Sequence, residues 1–105
     1  MIEVTATYDF VPGIDQKEYE GFVKRALSSL VKAPGFVELR AYRNLASSPF
    51  VRSTYVFQTL ADWARYTEST EFQTLMTEGR RFVTDIRVDA WGPSPVVTAP
   101  VRPAK

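Results

Sequence analysis

Cysteine and histidine are both missing from this 105-residue chain. Without cysteine there is no disulfide framework, no thiolate nucleophile and no zinc site of the usual ligand set. Without histidine there is no Ser-His-Asp triad, no imidazole base and no histidine ligand for haem. A metal would have to be held by oxygen ligands, and no clustered Asp-x-Asp pattern offers them. Excess charge of one sign is missing too. The 13 basic and 12 acidic residues leave a net charge of +1, and they are interspersed, so the basic face that nucleic acid requires is not there. No apolar run approaches the roughly 20 residues of a membrane span. The sequence starts with a strand pattern and no basic-then-apolar leader. The expectation is a cytoplasmic protein with neither membrane nor nucleic-acid partners.

What is present is a globular composition, 45% hydrophobic and 13% aromatic, in a length that suits one domain. The apolar period changes at Pro34-Gly35-Phe36. Before it, Tyr19, Phe22, Val23, Ala26, Leu27, Leu30 and Val31 recur with helical spacing. After it, Val37, Leu39 and Ala41 alternate with Glu38, Arg40 and Tyr42 as in a half-buried strand. Residues 2–10 alternate in the same way, with Ile2, Val4, Ala6, Tyr8 and Phe10 on one face. Asp15 is a candidate N-cap, with Glu18 as its capping-box partner, for a helix over 16–32. Strands are expected over 37–44 and 50–57, joined as a hairpin, and over 82–91.

Between the last two strands lies a helix broken at Ser69-Thr70, covering 60–68 and 71–79. Thr59 caps its first part, Thr70 its second, and Gly79 stops it. Residues 93–105 carry four prolines and form a tail or an arm over a neighbour rather than a regular element. The domain proper is residues 1–92. The order β-α-β-β-α-β predicts an α+β, ferredoxin-like fold, an antiparallel sheet of order 4-1-3-2 with helices on one face. The other face, from Glu3 and Arg40 to Tyr42 and Trp91, is either solvated or a self-association face with those two rings as anchors. RNA binding of the kind this sheet order often serves is not expected, because Tyr8, Phe10, Tyr55 and Phe57 fall on the buried side.

Several segments carry a family likeness: Val11-Pro12-Gly13, Ala33-Pro34-Gly35-Phe36-Val37-Glu38, Tyr55-Val56-Phe57-Gln58-Thr59-Leu60-Ala61-Asp62-Trp63, then Tyr66 and Glu68-Ser69-Thr70-Glu71-Phe72. Over residues 2–92 the chain resembles the antibiotic-biosynthesis monooxygenase family of dimeric α+β barrels. The resemblance implies a homodimer whose two sheets close into one barrel, with a ligand cavity between helices and sheet in each subunit. It implies oxidoreductase chemistry on a small aromatic or polyketide-like molecule, using oxygen and no cofactor. The alternative is a non-catalytic, ligand-binding or stress-associated dimer of the same fold. The haem-degrading branch places an asparagine, a tryptophan and a histidine where this chain has Ala6, Tyr66 and Met76, so haem degradation is not expected.

Two residues are candidates for catalysis. Arg43 interrupts the apolar alternation of its strand; its guanidinium would stabilise a phenolate or enolate, or else it snorkels to water from the strand end. Tyr66 stands where relatives place a cavity aromatic and would donate a hydrogen bond to a substrate oxygen. Trp63, Tyr8, Tyr55, Phe22, Phe72 and Met76 either line the cavity or fill the core. Asn44 and Ser53 read as polar residues near the hairpin end. No carboxylate falls on the apolar face, which argues against general acid-base catalysis.

Overall fold

Residues 1–104 are described by a computed structural model; Lys105, the last residue of the expected tail, lies outside them. The elements are β1 (Ile2–Phe10), α1 (Gln16–Leu30), β2 (Phe36–Arg43), β3 (Val51–Phe57), α2 (Leu60–Glu68), α3 (Thr70–Gly79) and β4 (Val83–Trp91). All strand pairs are antiparallel, in the order β2-β3-β1-β4. This is the expected 4-1-3-2 sheet counted from the opposite edge, and the fold is ferredoxin-like α+β. No helix among the described residues is long and apolar enough to cross a membrane.

Local chemistry explains where each helix starts. The Asp15 carboxylate accepts from the amides of Lys17 at 2.8 Å and Glu18 at 3.2 Å. Glu18 does not close a capping box; its carboxylate pairs with Arg81 at 3.3 Å instead. Helix α1 stops at Leu30, short of the expected residue 32. The amide of Lys32 already bonds back three residues to Ser29, and that of Ala33 to Leu30, a tightening that precedes Pro34. Gly35 then takes φ +81°, and its carbonyl accepts from the Gln58 amide at 2.8 Å. The Pro-Gly-Phe segment therefore joins the start of β2 to the end of β3. The second helical region breaks as expected, but one residue earlier. Ser69, not Thr70, caps α3, in an extended conformation with its Oγ accepting from the Phe72 amide at 3.1 Å. Gly79 is the last residue of α3, and the space left by its missing side chain is used by the Phe22 ring; a Cβ there would stand 3.0 Å from Phe22 Cζ.

The β2–β3 hairpin forms, and β1 holds its loop. Asp9 accepts from the Phe50 amide at 2.9 Å and from the Ser48 hydroxyl at 2.5 Å. In β4 the register against β1 shifts by a residue between Thr84 and Arg87, where Asp85 takes φ 55°. That left-handed residue marks a β-bulge.

The outer face of the sheet is more organised than a plain solvated surface. Thr54 and Val56, both assigned to it, are buried. Val56 is flanked by Glu3 on β1 and Glu38 on β2, and Thr54 by Thr5 and Arg40. Arg40 pairs with both Glu3 and Glu38, so its side chain bridges β1 and β2 across the shorter residues of β3. Trp91 donates its indole N–H to Thr5 Oγ1 at 2.7 Å yet remains exposed, as does Tyr42.

On the inner face, packing concentrates at two places. Phe22, Leu75 and Phe82 form one cluster with Tyr19 and Val83 against it. Phe57, fully buried, centres the other, in ring contact with Phe36, Trp63 and Tyr66.

Candidate functional site

The strand register explains why these two clusters leave a space between them. Ser53 on β3 lies between Ala41 on β2 and Ala6 on β1. This cross-strand row has only small side chains. On one side it is bordered by Leu39, Tyr55 and Val4, and on the other by Val51 and Tyr8. The sheet floor is thus hollow in its middle, with bulk on both sides. The helices above contribute Phe22 and Leu30 from α1, Trp63 and Tyr66 from α2, and Phe72, Leu75 and Met76 from α3. The cavity between sheet and helices has a volume of about 320 Å³, near the lower end of ligand sites. Leu27 of α1 and Ile86 and Val88 of edge strand β4 line it while staying partly exposed, so the cavity is open to the outside at these residues. A groove of about 370 Å³ on the outer face, walled by Arg40, Val56, Trp91 and Pro93, is shallower and more polar.

Apart from the indole N–H of Trp63, the polar side-chain groups of the inner cavity are hydroxyls. Five hydroxyl residues line it, Tyr8, Tyr19, Ser53, Tyr55 and Tyr66, and no charged side chain does among the described residues. The Tyr8 and Tyr19 oxygens are 3.5 Å apart, and either can donate. Tyr55 is half-buried among the residues that line the cavity. Burial, reinforced by the phenols of Tyr8 and Tyr66, pushes its pKa up to about 12 against the opposing effect of the Ser53 hydroxyl. Burial, with the Tyr8 hydrogen bond adding, also raises Tyr19 well above the ordinary phenol value, although the Arg43 charge opposes this. Tyr66 is raised by burial, with Glu71 adding and the Ser29 hydroxyl opposing. Ser29 Oγ is itself buried and makes no hydrogen bond of good geometry among the described residues. Ionising any of these phenols would place a charge in a poorly solvated space. They therefore act as neutral hydrogen-bond donors and acceptors at physiological pH, and not as bases.

The structure brings Tyr66, Trp63, Tyr8, Tyr55, Phe22, Phe72 and Met76 together around this one cavity. Trp63 combines both expected roles, lining the cavity while packing on Tyr55 and Phe57 at centroid distances of 5.7 and 5.5 Å. Arg43 is not among the lining residues. It is exposed at the end of β2, with its guanidinium carbon 5.6 Å from the centre of the Phe10 ring, a cation-π stack. Asn44 does ordinary turn chemistry, accepting from the Ala46 and Ser47 amides. Ser53 does not: it is buried in the middle of the inner face, at 6% exposure. Its signal was the alternation with Tyr55 and Phe57, which puts all three on the inner side. Tyr19, read only as part of a helix stripe, is the other hydroxyl-bearing lining residue not singled out.

Fold and site together define an α+β sandwich of one sheet and one helical layer enclosing an apolar, hydroxyl-bearing cavity. Solved structures of this architecture include proteins from the monooxygenase family and its dimeric neighbours. SnoaB, a cofactor-independent oxygenase from Streptomyces nogalater, superposes with a TM-score of 0.75 at 15% identity, over 89% of this chain and 92% of that one. A putative antibiotic biosynthesis monooxygenase from Deinococcus radiodurans gives 0.76 at 9% identity, over the whole of both chains. A dimeric ferredoxin-like protein of unknown function from Thermobifida fusca gives 0.70 at 8% identity, over 86% and 88%. No family model and no curated protein matches the chain by sequence. At these identities the likeness establishes a shared fold, the ferredoxin-like α+β fold.

Proposed function

We propose that this protein is a homodimer that holds a small, planar, largely apolar aromatic molecule in the cavity between helices and sheet, and that it acts there as a cofactor-independent monooxygenase. The observation that carries the reading is the cavity itself: apolar walls, a hollow floor and a few convergent hydroxyls, the usual make-up of a small-molecule site. The oxygenase activity of SnoaB, which has the same fold, supports the choice of reaction.

In that reaction a methylene carbon of an activated phenol or enol takes one atom of dioxygen as a carbonyl oxygen. The other atom leaves as water with the two methylene hydrogens, and the substrate carbon supplies the electrons. Tyr66 would donate to the substrate oxygen and hold the ring against Trp63 and Phe72; the Phe72 ring centre lies 5.2 Å from that of Tyr66 and 6.3 Å from that of Trp63. Arg43 plays no part in this scheme, since it does not line the cavity. The second copy is expected against the outer face of the sheet, where Trp91 and Tyr42 remain exposed.

One observation favours non-catalytic binding as a second reading. No charged group among the described residues lines the wall, and burial holds Tyr19, Tyr55 and Tyr66 protonated, so the substrate must ionise without help from a base there. Oxygen-electrode assays with anthrone-like phenols, which carry the methylene carbon the reaction needs, decide between the two. Catalysis predicts one dioxygen consumed per substrate, without peroxide, and a loss of at least tenfold in Tyr66→Phe. Saturable binding without oxygen uptake leaves the second reading. Sedimentation of the purified chain tests the dimer, and a concentration-independent monomer refutes it.

A further inference from the structure

We infer that the cavity selects the un-ionised form of a hydroxylated aromatic molecule, and that Ser53 sets this preference by hydrogen bonding the ligand's hydroxyl. The inference rests on the ligand-binding reading above and names the chemistry of what the site accepts.

The argument starts from the floor. Ser53 is buried at the centre of the small-residue row, with Ala41 and Ala6 beside it. A ring lying over that row would meet methyl groups on both sides and a single hydroxyl between them. A serine hydroxyl can donate and accept at once. It can thus pair with a ligand hydroxyl, which itself both donates and accepts, whichever way the proton points. The ionisable groups sharing the cavity with Ser53 are the phenols of Tyr8, Tyr19, Tyr55 and Tyr66. The charged groups that act on them from beyond the wall are Arg43, towards Tyr19, and Glu71, towards Tyr66. Neither lines the cavity. A phenolate moved into this space would lose its hydration without gaining a counter-ion. A neutral phenol loses far less and recovers it through the hydrogen bond. Charge selection of this kind needs no charged residue; it follows from their exclusion.

The missing histidines make the test clean. No side chain of ordinary pKa titrates between about pH 5 and pH 9, and burial moves Tyr19, Tyr55 and Tyr66 further from that window. A nitro-1-naphthol that ionises within it therefore reports its own protonation. Its binding, and that of naphthalene, can be followed by quenching of the Trp63 emission in the full chain. The expected result is that nitronaphthol binds about tenfold more tightly than naphthalene at low pH. Above the ligand's pKa its apparent Kd should rise tenfold per pH unit, because only the neutral fraction binds. Naphthalene binding should not depend on pH.

Ser53→Ala should reduce the nitronaphthol preference three- to tenfold and leave naphthalene unchanged, whereas Ser53→Thr, which keeps the hydroxyl, should retain the preference. Nitronaphtholate binding as tightly as the neutral form would overturn the inference, because a cation would then be reaching the ligand. So would an equal loss for both probes in Ser53→Ala, which would make the serine a packing residue only. Naphthalene binding with no preference for the hydroxyl also overturns it, but leaves the cavity as a binding site. If neither probe binds, the binding reading itself falls.

Discussion

Replacing Gly35 with alanine separates two costs at the turn that joins α1 to the sheet. The first is conformational. Gly35 has φ +81°, and an L-residue held in that region costs about 1–2 kcal/mol. The second is steric. A Cβ on Gly35 would stand 2.3 Å from both Cγ and Oδ2 of Asp62 and 2.6 Å from its Cβ. Neither side yields easily. The Gly35 carbonyl accepts from the Gln58 amide at 2.8 Å. Asp62 accepts from the Thr59 hydroxyl at 2.9 Å, and its amide donates to that hydroxyl at 3.1 Å. Moving Asp62 aside opens the cap of α2, worth about 1 kcal/mol.

The two costs together predict a loss of about 2–4 kcal/mol for Gly35→Ala. In a domain of this size that lowers Tm by on the order of 10–25 °C. Gly13→Ala is the matched control. Gly13 has φ +76°, but nothing lies within 4 Å of the position its Cβ would take, so only the conformational cost of about 1–2 kcal/mol applies. Urea unfolding of both variants, read as midpoints at constant m-value, measures the difference. Asp62→Ala placed in the Gly35→Ala background should recover part of the loss, since it removes two of the three close atoms, and the pair should be non-additive by more than about 0.5 kcal/mol. Equal losses in Gly35→Ala and Gly13→Ala would refute the steric argument and leave only the backbone term.

Filling the hollow floor is expected to close the site: Ala6→Leu, beside Ser53 and Val88, should weaken naphthalene binding at least tenfold while the chain stays folded, as titration and thermal unfolding together would show. The buried phenol predicts an alkaline limit. The Tyr55 pKa is about 12 in the folded chain and about 10 unfolded; the native state therefore holds the proton more tightly. Stability is full below pH 10 and falls between pH 10 and 12 by about 2–3 kcal/mol. Tyr55→Phe should flatten that fall in a pH series of denaturant unfolding curves, and an unchanged slope would assign the effect elsewhere. Asp9→Ala removes two contacts to the hairpin loop; it should cost about 1–2 kcal/mol and speed exchange of the Phe50 amide, with no change at the Ser69 cap.

The parts of the fold that were legible in the chain are those set by neighbours in sequence. Asp15, Thr59 and the change of period at Gly35 place helix starts and the turn because their partners lie within four residues, as with the Asp15 carboxylate on the Lys17 and Glu18 amides. Where the partner is distant, local reading went astray. Glu18 is three residues from its cap but pairs with Arg81, and Gly79, which reads as a helix stop, is small because Phe22 passes over it. Thr54 and Val56 alternate to the outer side as expected, yet they are buried by Glu3, Glu38 and Arg40 from the adjoining strands.

The candidate site divides along the same line. Its aromatic wall was readable in part: Trp63, Phe72 and Met76 fall on the apolar side of a broken helix by spacing, whereas Tyr66 came from the family resemblance. The hollow was not, because it depends on Ala6, Ser53 and Ala41 coming side by side from three strands, and register is decided by pairing and not by any one strand. The same pairing turned Ser53 from a residue near a turn into the polar centre of the floor. Arg43 shows the converse. Its place in the alternation put it on the cavity face, but β2 ends there, and the guanidinium finds the Phe10 ring in preference to the cavity. Amino-acid order thus determined the elements, their amphipathic faces and the exclusion of histidine and cysteine chemistry. Tertiary structure alone decided which small residues coincide to leave a space, because a cavity is the absence of side chains from several strands at once, and no single segment carries that information.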